Sequence, residues 1–354
     1  MNLYFRCYSF INNVTDSMKK LKSIDLFAGI GGMRLAFEKA CKELNIEPET
    51  AFYSEINNSC REVYNKNFKK TKAWTDIKLI PNKLINKKIP NHDILLAGFP
   101  CQPFSQAGVV KRNSLNKSHG FNDKNQGNLF FNILDIISIK KPKVFLLENV
   151  KHLANYNKGK VLKKILSSLR KNYFVPDPKI LNARDFGLAQ KRERIYIVGF
   201  LKNLHVNFEY PQPLYTPTKV EDFLEKDIDS SFTISDRLWD GHKKRRKRNK
   251  KMGKGFGYKL TYPSDSYTRA ISARYYKDGG ECLIYRGKGK NPRKLTPREC
   301  FNLQGFPKSF KINKSNIPAY KQAGNSVPIN VVKKILINVI KCILENKRSN
   351  DLAA

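Results

Sequence analysis

The sequence is poor in acidic residues, in paired cysteines and in long apolar runs. It has 30 Asp and Glu against 67 Lys and Arg. Its seven cysteines form no C-x-x-C pair and have no spacing with histidine that suits zinc, so we expect no metal site. No run approaches the roughly 20 apolar residues of a membrane span, and the first residues lack the apolar block of a secretory signal. These absences predict a cytoplasmic protein without a membrane partner.

The charge balance is the strongest compositional signal. A formal net charge of +37 repels itself unless a polyanion is bound, which favours a nucleic-acid partner. A Lys- and Asn-rich proteome is the alternative explanation of the same count. At 354 residues and 40% hydrophobic content, the chain is long and apolar enough to fold as two domains.

The first half of the chain alternates strand and helix patterns. This alternation predicts a doubly wound α/β sheet with helices on both faces. The predicted strands are 23–27, 51–55, 92–97, 144–147, 174–182 and 194–200, and the predicted helices are 33–44, 58–68, 129–139 and 161–169. Later come a proline-marked linker at 211–217, a basic run without strand–helix rhythm, a capped helix after Thr296, and a glycine turn at QAGN followed by an amphipathic helix.

The stretch IDLFAGIGG predicts a cofactor turn between a strand and a helix. Glycines let a ligand approach the backbone, and the helix N-terminus offers free N–H groups. Arg34 stands where G-x-G-x-x-G requires its third glycine, which disfavours a dinucleotide site. Glu55 ends the next strand, where a carboxylate can bind ribose hydroxyls, and Asp76 could reach an adenine amino group. A glycine turn that serves only close packing is the alternative.

Cys101 lies between Pro100 and Pro103, just after a strand-like apolar run. The carboxyl ends of strands are where α/β sheets bind their ligands, so this setting favours a nucleophile over a buried inert cysteine. The polar loop 102–126 that follows is long enough to be a lid.

A carboxylate and two arginines complete the candidate chemistry. Glu148 ends the strand KVFLLENV and is a candidate acid, with a salt-bridged structural glutamate as the alternative. Arg192 and Arg194 precede the strand IYIVGF. On an extended chain they share one face, where they could bind a base carbonyl, a phosphate or Glu148 itself.

Seven segments in this order resemble the motifs of DNA cytosine-5 methyltransferases, in their Dcm-like branch. They are IDLFAGIGG, SEIN, GFPCQPFS, ENV, QKRERIYIVGF, LTPRECFNLQGFP and QAGNSVP, within residues 22–345. The resemblance implies a Rossmann-like S-adenosylmethionine-dependent methyltransferase sheet with a smaller, irregular target-recognition domain. The implied organisation is a flexible extension 1–20, a catalytic domain of 21–200 plus 316–345, a target-recognition domain 201–294, a hinge 295–315 and a flexible tail 346–354.

The resemblance also implies the roles of individual residues. A cytosine is flipped out of duplex DNA, Cys101 adds to its carbon 6, and Glu148 binds N3 and the exocyclic amine. Arg192 contacts the cytosine carbonyl and Arg194 supports it. Cofactor positions carried over for S-adenosylmethionine are Phe27, Gly29, Gly31, Glu55, Asp76, Ile77, Pro100, Asn325 and Ser326.

The segment between Phe200 and Leu295 is then the sequence reader. Its run HKKRRKRNKK could contact phosphates, act as a nuclear address or form a solvated helix face. Candidate DNA contacts are Gln102, Ser105, Lys243, Lys244, Arg245, Arg246, Arg269 and Arg274. The Dcm-like branch suggests a CC(A/T)GG-like site. We expect a monomer in a restriction-modification or orphan system, without a stable endonuclease complex.

Three alternatives are weighed against this hypothesis. A tRNA cytosine-5 methyltransferase shares the motifs but has a short recognition region. A nicotinamide-dependent dehydrogenase would use the glycine turn and Glu55 but explains neither Cys101 nor the arginines. A non-catalytic DNA-binding protein would have no reason to keep Cys101, Glu148 and Arg192 together.

Overall fold

The computed structural model describes residues 20–100, 129–255 and 257–353, with side chains up to residue 346. The strands are β1 Lys20–Leu26, β2 Glu47–Ser54, β3 Lys72–Trp74, β4 Ile94–Gly98, β5 Val144–Val150, β6 Tyr173–Phe174, β7 Lys179–Asn182, β8 Gln190–Lys191, β9 Glu193–Leu201, β10 Leu260–Thr261, β11 Thr268–Arg269, β12 Leu283–Ile284 and β13 Arg293–Lys294. The helices are α1 Gly32–Glu43, α2 Asn58–Asn67, α3 Ile85–Lys88, α4 Leu129–Lys140, α5 Lys160–Leu169, α6 Asp236–Lys251, α7 Pro297–Asn302, α8 Asn316–Asn325 and α9 Ile329–Ala353.

The main sheet has eight strands in the order β3-β2-β1-β4-β5-β9-β6, with β7 also paired to β9. The strands from β3 to β5 are parallel, and β9 runs antiparallel to β5. The winding direction reverses between β1 and β4, which is where open α/β sheets bind their ligands. The predicted doubly wound α/β class is confirmed.

The central strands are apolar because both faces of the sheet are covered. In β4, Leu95 packs into one hydrophobic cluster and Leu96 into the other. In β5, likewise, Phe145 and Leu147 pack on one face of the sheet and Leu146 packs on the other. Successive side chains of a strand point to opposite faces, so a strand buried on both faces reads as a continuous apolar run.

The last helix, α9, packs against the first, α1. Its buried face includes Val332, Ile335 and Val339, which share a cluster with Phe37 and Ala40 of α1. Lys333 and Lys334 add ion pairs to Glu43 at the end of α1. Helix α9, from the last part of the sequence, therefore lies in the same helical layer as α1, from the first part.

The described part of residues 202–295 contains one three-stranded sheet, a strand that pairs with β8 outside this range, and one long helix. Strands β10, β12 and β13 form a three-stranded sheet, and β11 pairs with β8. Helix α6 begins after Ser235, whose side chain accepts a hydrogen bond from the Leu238 amide at 3.3 Å. This helix spans the basic run, for which a solvated helix face was one of the three interpretations of the sequence. The domain boundaries predicted from the sequence remain a prediction.

Two local predictions are wrong. The expected strand 174–182 is two short strands, because Pro176 and Pro178 cannot donate to a sheet ladder. The expected glycine turn at 324 lies inside α8. A Cβ at Gly324 would lie 2.3 Å from the backbone carbon of Ser272, so this glycine permits a close approach of two backbones.

The capped helix after Thr296 is confirmed. The Thr296 hydroxyl accepts from the Glu299 amide at 3.1 Å, and the Glu299 carboxylate accepts from the Thr296 amide at 2.8 Å. Within the part of the chain that the structure describes, no helix combines the length and apolarity that crossing a membrane requires.

Candidate active site

The glycine turn after β1 has a left-handed backbone at three positions. Phe27 and Gly29 both have φ of 55°, and Gly31 has φ of 86° as the N-cap of α1. A Cβ at Gly31 would lie 2.3 Å from the Phe68 ring, so both conformation and space require glycine there. Gly31 therefore serves close packing, whereas a Cβ at Gly29 would meet no atom within 4 Å, so the same turn can also bind a cofactor.

Glu55 is placed against this turn. One of its carboxylate oxygens accepts from the Gly29 amide at 2.8 Å, and the other accepts from the Asn57 amide at 2.7 Å. An ionised carboxylate offers about four acceptor positions, so Glu55 can hold the turn and still accept from a ligand hydroxyl. The predicted ribose contact remains a prediction.

The turn opens into a cavity that joins distant parts of the chain. It is lined by Asp25, Phe27, Ala28, Gly29, Ile30, Gly32, Met33, Cys60, Gly98, Glu148, Gln322, Asn325, Ser326 and Val327. Four predicted cofactor residues, Phe27, Gly29, Asn325 and Ser326, are thus brought together with Glu148. The other five predicted cofactor residues are not among its lining residues: Gly31, Glu55, Asp76, Ile77 and Pro100. Asp76 caps a short 3-10 turn that begins at the buried Ile77, and Pro100 is half-buried beyond β4.

Asp25 is a site residue that the sequence analysis missed. Its side chain is 1% exposed, and its Oδ2 has no hydrogen-bond partner among the described residues, as is also true of Ser326 Oγ. Burial raises the pKa of the Asp25 carboxyl to about 8, although the charge of Arg34 opposes the rise. A carboxyl inside the otherwise apolar stretch IDLF was the available signal.

The raised pKa of Asp25 gives a testable pH dependence of stability. The folded protein keeps this proton from the ordinary pKa of 3.8 up to about 8, whereas the unfolded chain loses it. The stabilisation is complete below the ordinary pKa and is lost as the pH rises through the folded pKa. We expect the unfolding free energy of wild type, relative to Asp25→Asn, to fall by on the order of 1 kcal/mol per pH unit between pH 5 and 8. Urea unfolding of both proteins without cofactor measures it. A difference that stays constant with pH would contradict the assignment.

Glu148 and Arg194 form a buried ion pair at the carboxyl ends of the strands. Arg194 Nε lies 3.1 Å from Glu148 Oε1, and the two side chains are 17% and 11% exposed. Glu148 lies opposite Gly98 in the pairing of β5 with β4, and a Cβ at Gly98 would lie 3.6 Å from Glu148 Oε2. Burial raises the pKa of Glu148, and Arg194 and Arg192 pull it down without reversing the rise. The site therefore favours the protonated carboxyl more than water does, which suits a proton donor.

Arg192 is not placed as predicted. It is 2% exposed, and its guanidinium donates to the carbonyl oxygens of Ile271 at 3.0 Å, Gly324 at 2.9 Å and Ser326 at 2.6 Å. The extended-chain argument fails because the chain turns between β8 and β9, where the Arg192 amide donates to the Gln190 carbonyl at 2.9 Å. Arg194, the predicted supporting residue, is the arginine beside Glu148.

Cys101, Gln102 and Ser105 lie outside the described residues, as does the predicted lid loop 102–126. The chain is described up to Pro100, the residue before Cys101. The Phe99 carbonyl accepts from the Asn149 side chain at 3.3 Å, which ties the end of β4 to the end of β5. The described chain before the predicted nucleophile therefore ends at the sheet edge that carries Glu148.

Three of the four predicted DNA contacts on α6 interact with other side chains of the protein. Arg245 donates to Asp278 at 3.0 Å and to His242, Lys243 pairs with Asp240 at 2.6 Å, and Arg246 stacks over the Tyr258 ring at 4.9 Å. Lys244 is exposed. In the neighbouring segment, Arg269 and Arg274 are exposed, and Arg269 donates to the Gly257 carbonyl at 2.9 Å.

Known proteins are similar to this chain in sequence over most of its length. A family model described as C-5 cytosine-specific DNA methylase matches residues 21–341. The Type II methyltransferase M.DsaV of Dactylococcopsis salina is 47% identical over 327 residues, which cover 92% of this chain and 87% of that protein. The DNA-cytosine methyltransferase of Escherichia coli K12 is 38% identical over 374 residues, covering 90% of this chain and 78% of that protein.

A solved structure supports the fold. The Entamoeba histolytica methyltransferase EhMeth superposes with a TM-score of 0.72 at 22% identity, over 93% of this chain and 99% of that one. With a family match across almost the whole sequence and a relative at nearly half identity, the resemblance that the seven motifs suggested is confirmed: the chain belongs to the C-5 cytosine-specific DNA methylases and is a DNA (cytosine-5)-methyltransferase.

Proposed function

We propose that the enzyme methylates carbon 5 of a flipped cytosine within a short specific site of duplex DNA, using S-adenosylmethionine and a covalent adduct through Cys101. One observation supports this most. The Glu148–Arg194 ion pair lies beside the end of β4, and Glu148 lines the cavity of the glycine turn. A base, a thiol and a methyl donor can thus meet at one edge of the sheet.

The residues of the cavity fit the proposed cofactor. Gly29 has open space where a Cβ would stand, and the turn gives a ligand access to the backbone. Asp25 and Ser326 offer buried oxygens that no described residue satisfies, and such atoms are costly unless a ligand pairs with them. When bound, S-adenosylmethionine supplies a methyl group on an electron-poor sulfonium. Asp25, Glu55 and Ser326 would hold its polar groups, and Phe27 would pack against its methionine end.

The roles at the base follow from the geometry of Glu148 and Arg194. Protonated Glu148 donates to N3 of the cytosine, and its second oxygen accepts from the exocyclic amine. Arg194 holds the carboxyl in place and, we propose, donates to the cytosine carbonyl in the role first assigned to Arg192. The Cys101 thiolate forms a bond to carbon 6 while N3 takes the proton, and the resulting enamine makes carbon 5 nucleophilic. Carbon 5 would take the methyl group of the sulfonium that the cavity holds. Loss of the carbon 5 proton to solvent then breaks the bond to carbon 6 and expels the thiolate, and N3 returns its proton to Glu148.

The proposed function is tested by methyl transfer from labelled S-adenosylmethionine to duplex DNA and to tRNA, side by side. We expect label in the duplex and none in tRNA, because a long basic segment rather than a short one lies between Phe200 and Leu295. Bisulfite sequencing of DNA from a host expressing the enzyme then identifies the site, with CC(A/T)GG as the first candidate. Incorporation into tRNA alone would overturn the proposal.

The outward face of α6 is proposed to contact DNA phosphates. Lys244, Lys247 and Lys251 recur at helical spacing, are exposed, and form no ion pair with any described residue. They lie opposite the face that packs through His242 and Arg246. Phosphate contacts position the enzyme on the duplex without reading sequence.

Changing these three lysines to Gln should weaken DNA binding and its salt dependence together. We expect the slope of log affinity against log salt to fall by about 0.9 for each lost contact. Fluorescence anisotropy over a salt series measures this. The control changes Lys87, Lys140 and Lys141 to Gln, near the amino-terminal ends of β4 and β5, and should keep the wild-type slope. Equal slopes in both triple variants would contradict the proposed face.

The cellular setting remains a proposal. The matching relatives named Type II methyltransferases support a restriction-modification or orphan methylation system. We propose a cytoplasmic monomer that forms no stable complex with a cognate endonuclease.

A further inference from the structure

Arg192 joins three parts of the molecule that are far apart in sequence. Its three carbonyl acceptors are Ile271, in the segment that follows β11, and Gly324 and Ser326, at the end of α8. Arg192 itself lies between β8 and β9, two residues before Arg194. Because guanidinium nitrogens donate in a fixed planar fork, these acceptors fix one another's positions.

Further close contacts hold the same junction together. The Gln190 side chain accepts from the Ile271 amide at 2.9 Å and donates to the Leu303 carbonyl at 3.0 Å. A Cβ at Gly324 would lie 2.3 to 2.4 Å from three backbone atoms of Ser272 and Ala273. The end of α8 and segment 271–273 therefore cannot shift independently while Arg192 holds both.

The two sides of the junction carry residues that are predicted to bind different ligands. Asn325 and Ser326 line the cavity of the glycine turn. Segment 268–274 carries the exposed Arg269 and Arg274, which are candidate DNA contacts. A change in the position of either side can therefore be transmitted through this junction, in which Arg192 contacts both sides.

We propose that Arg192 is a positioning residue that makes cofactor and DNA binding cooperative, by locking the cavity wall 324–326 to the DNA-facing segment 268–274. This inference rests on the proposed function. DNA bound to segment 268–274 fixes the backbone at Ile271, Arg192 passes that restraint to Ser326, and the cofactor then binds a wall that is already ordered. Linkage requires that the cofactor raise DNA affinity by the same factor.

The test measures S-adenosylhomocysteine affinity of the full-length enzyme by calorimetry, alone and saturated with a duplex that wild type methylates. We expect DNA to tighten binding about tenfold in wild type and less than about twofold in Arg192→Lys, which keeps the charge but cannot span three carbonyls. Arg293→Lys is the matched control. It removes another buried arginine, paired with Glu299 at 2.7 Å, and should lower stability yet keep the coupling.

A second variant tests the junction from its other side. Gly324→Ala forces the two backbones apart, so it should lose the coupling as Arg192→Lys does. If one of the two variants folds poorly, the other still provides the test. Unchanged coupling in a folded variant, or no coupling in wild type, would overturn the inference and leave the proposed function intact. Failure of wild type to methylate any duplex would overturn the proposed function, and the inference with it.

Discussion

Replacing Cys101 with Ser should lower the rate of DNA methylation by about 10⁴-fold or more, while duplex affinity stays within about threefold of wild type. The reason is that a thiolate adds readily to carbon 6, whereas a serine hydroxyl is a much weaker nucleophile at neutral pH. The bond to carbon 6 forms only during the reaction. Loss of the thiol therefore lowers the methylation rate and leaves the affinity for the duplex unchanged. Labelled methyl transfer and anisotropy on the same duplex measure the two quantities.

The matched control is Cys342→Ser in α9. The Cys342 thiol donates to the Asn207 carbonyl, a contact that a hydroxyl can replace, and it lies on the last helix outside the cavity lining. It should methylate at the wild-type rate. A duplex with 5-fluorocytosine at the cognate site should also trap the wild-type enzyme through residue 101. An active Cys101→Ser variant, or a trapped adduct on another side chain, would refute the assignment.

Replacing Glu148 with Gln should lower the single-turnover rate by about 10² to 10⁴-fold with little change in duplex affinity. A glutamine amide can still donate to N3 and accept from the exocyclic amine, so the base is held. It cannot transfer a proton, so the adduct cannot reach the neutral enamine. Rapid-quench measurement at saturating DNA separates this loss from a binding defect.

The pH profile gives Glu148 a second signature. Because burial raises its pKa, the protonated form persists to higher pH than in an ordinary glutamate and is lost as the pH rises through that pKa. Wild type should therefore show an alkaline decline that Glu148→Gln lacks. Glu193→Gln is the control, since Glu193 pairs with the half-exposed Lys151 at 2.5 Å and should keep both rate and profile. A full-rate Glu148→Gln variant would remove Glu148 from the chemistry.

The sequence was sufficient wherever a local rule decides the structure. Apolar runs predicted β4 and β5, because strands buried on both faces need no polar residues. The capping box of Thr296 and Glu299 is likewise a local hydrogen-bond pattern. The glycine turn and the placement of Glu148 at a strand end followed from the same kind of rule.

The sequence was insufficient where distant segments decide. Two arginines two positions apart have the same chemistry, and only the turn at Gln190 separates the one beside Glu148 from the one held by Ile271. Gly324 resembled a turn because its close neighbour, Ser272, is far away in the chain. Asp25 was overlooked because its burial depends on residues from both ends of the sequence.

The composition of the cavity wall has a consequence for synthesis. One side comes from residues 25–33 and the facing side from residues 322–327. A nascent chain therefore cannot complete this cavity until residue 327 has been synthesised, so a product that ends before α8 lacks one wall of the site.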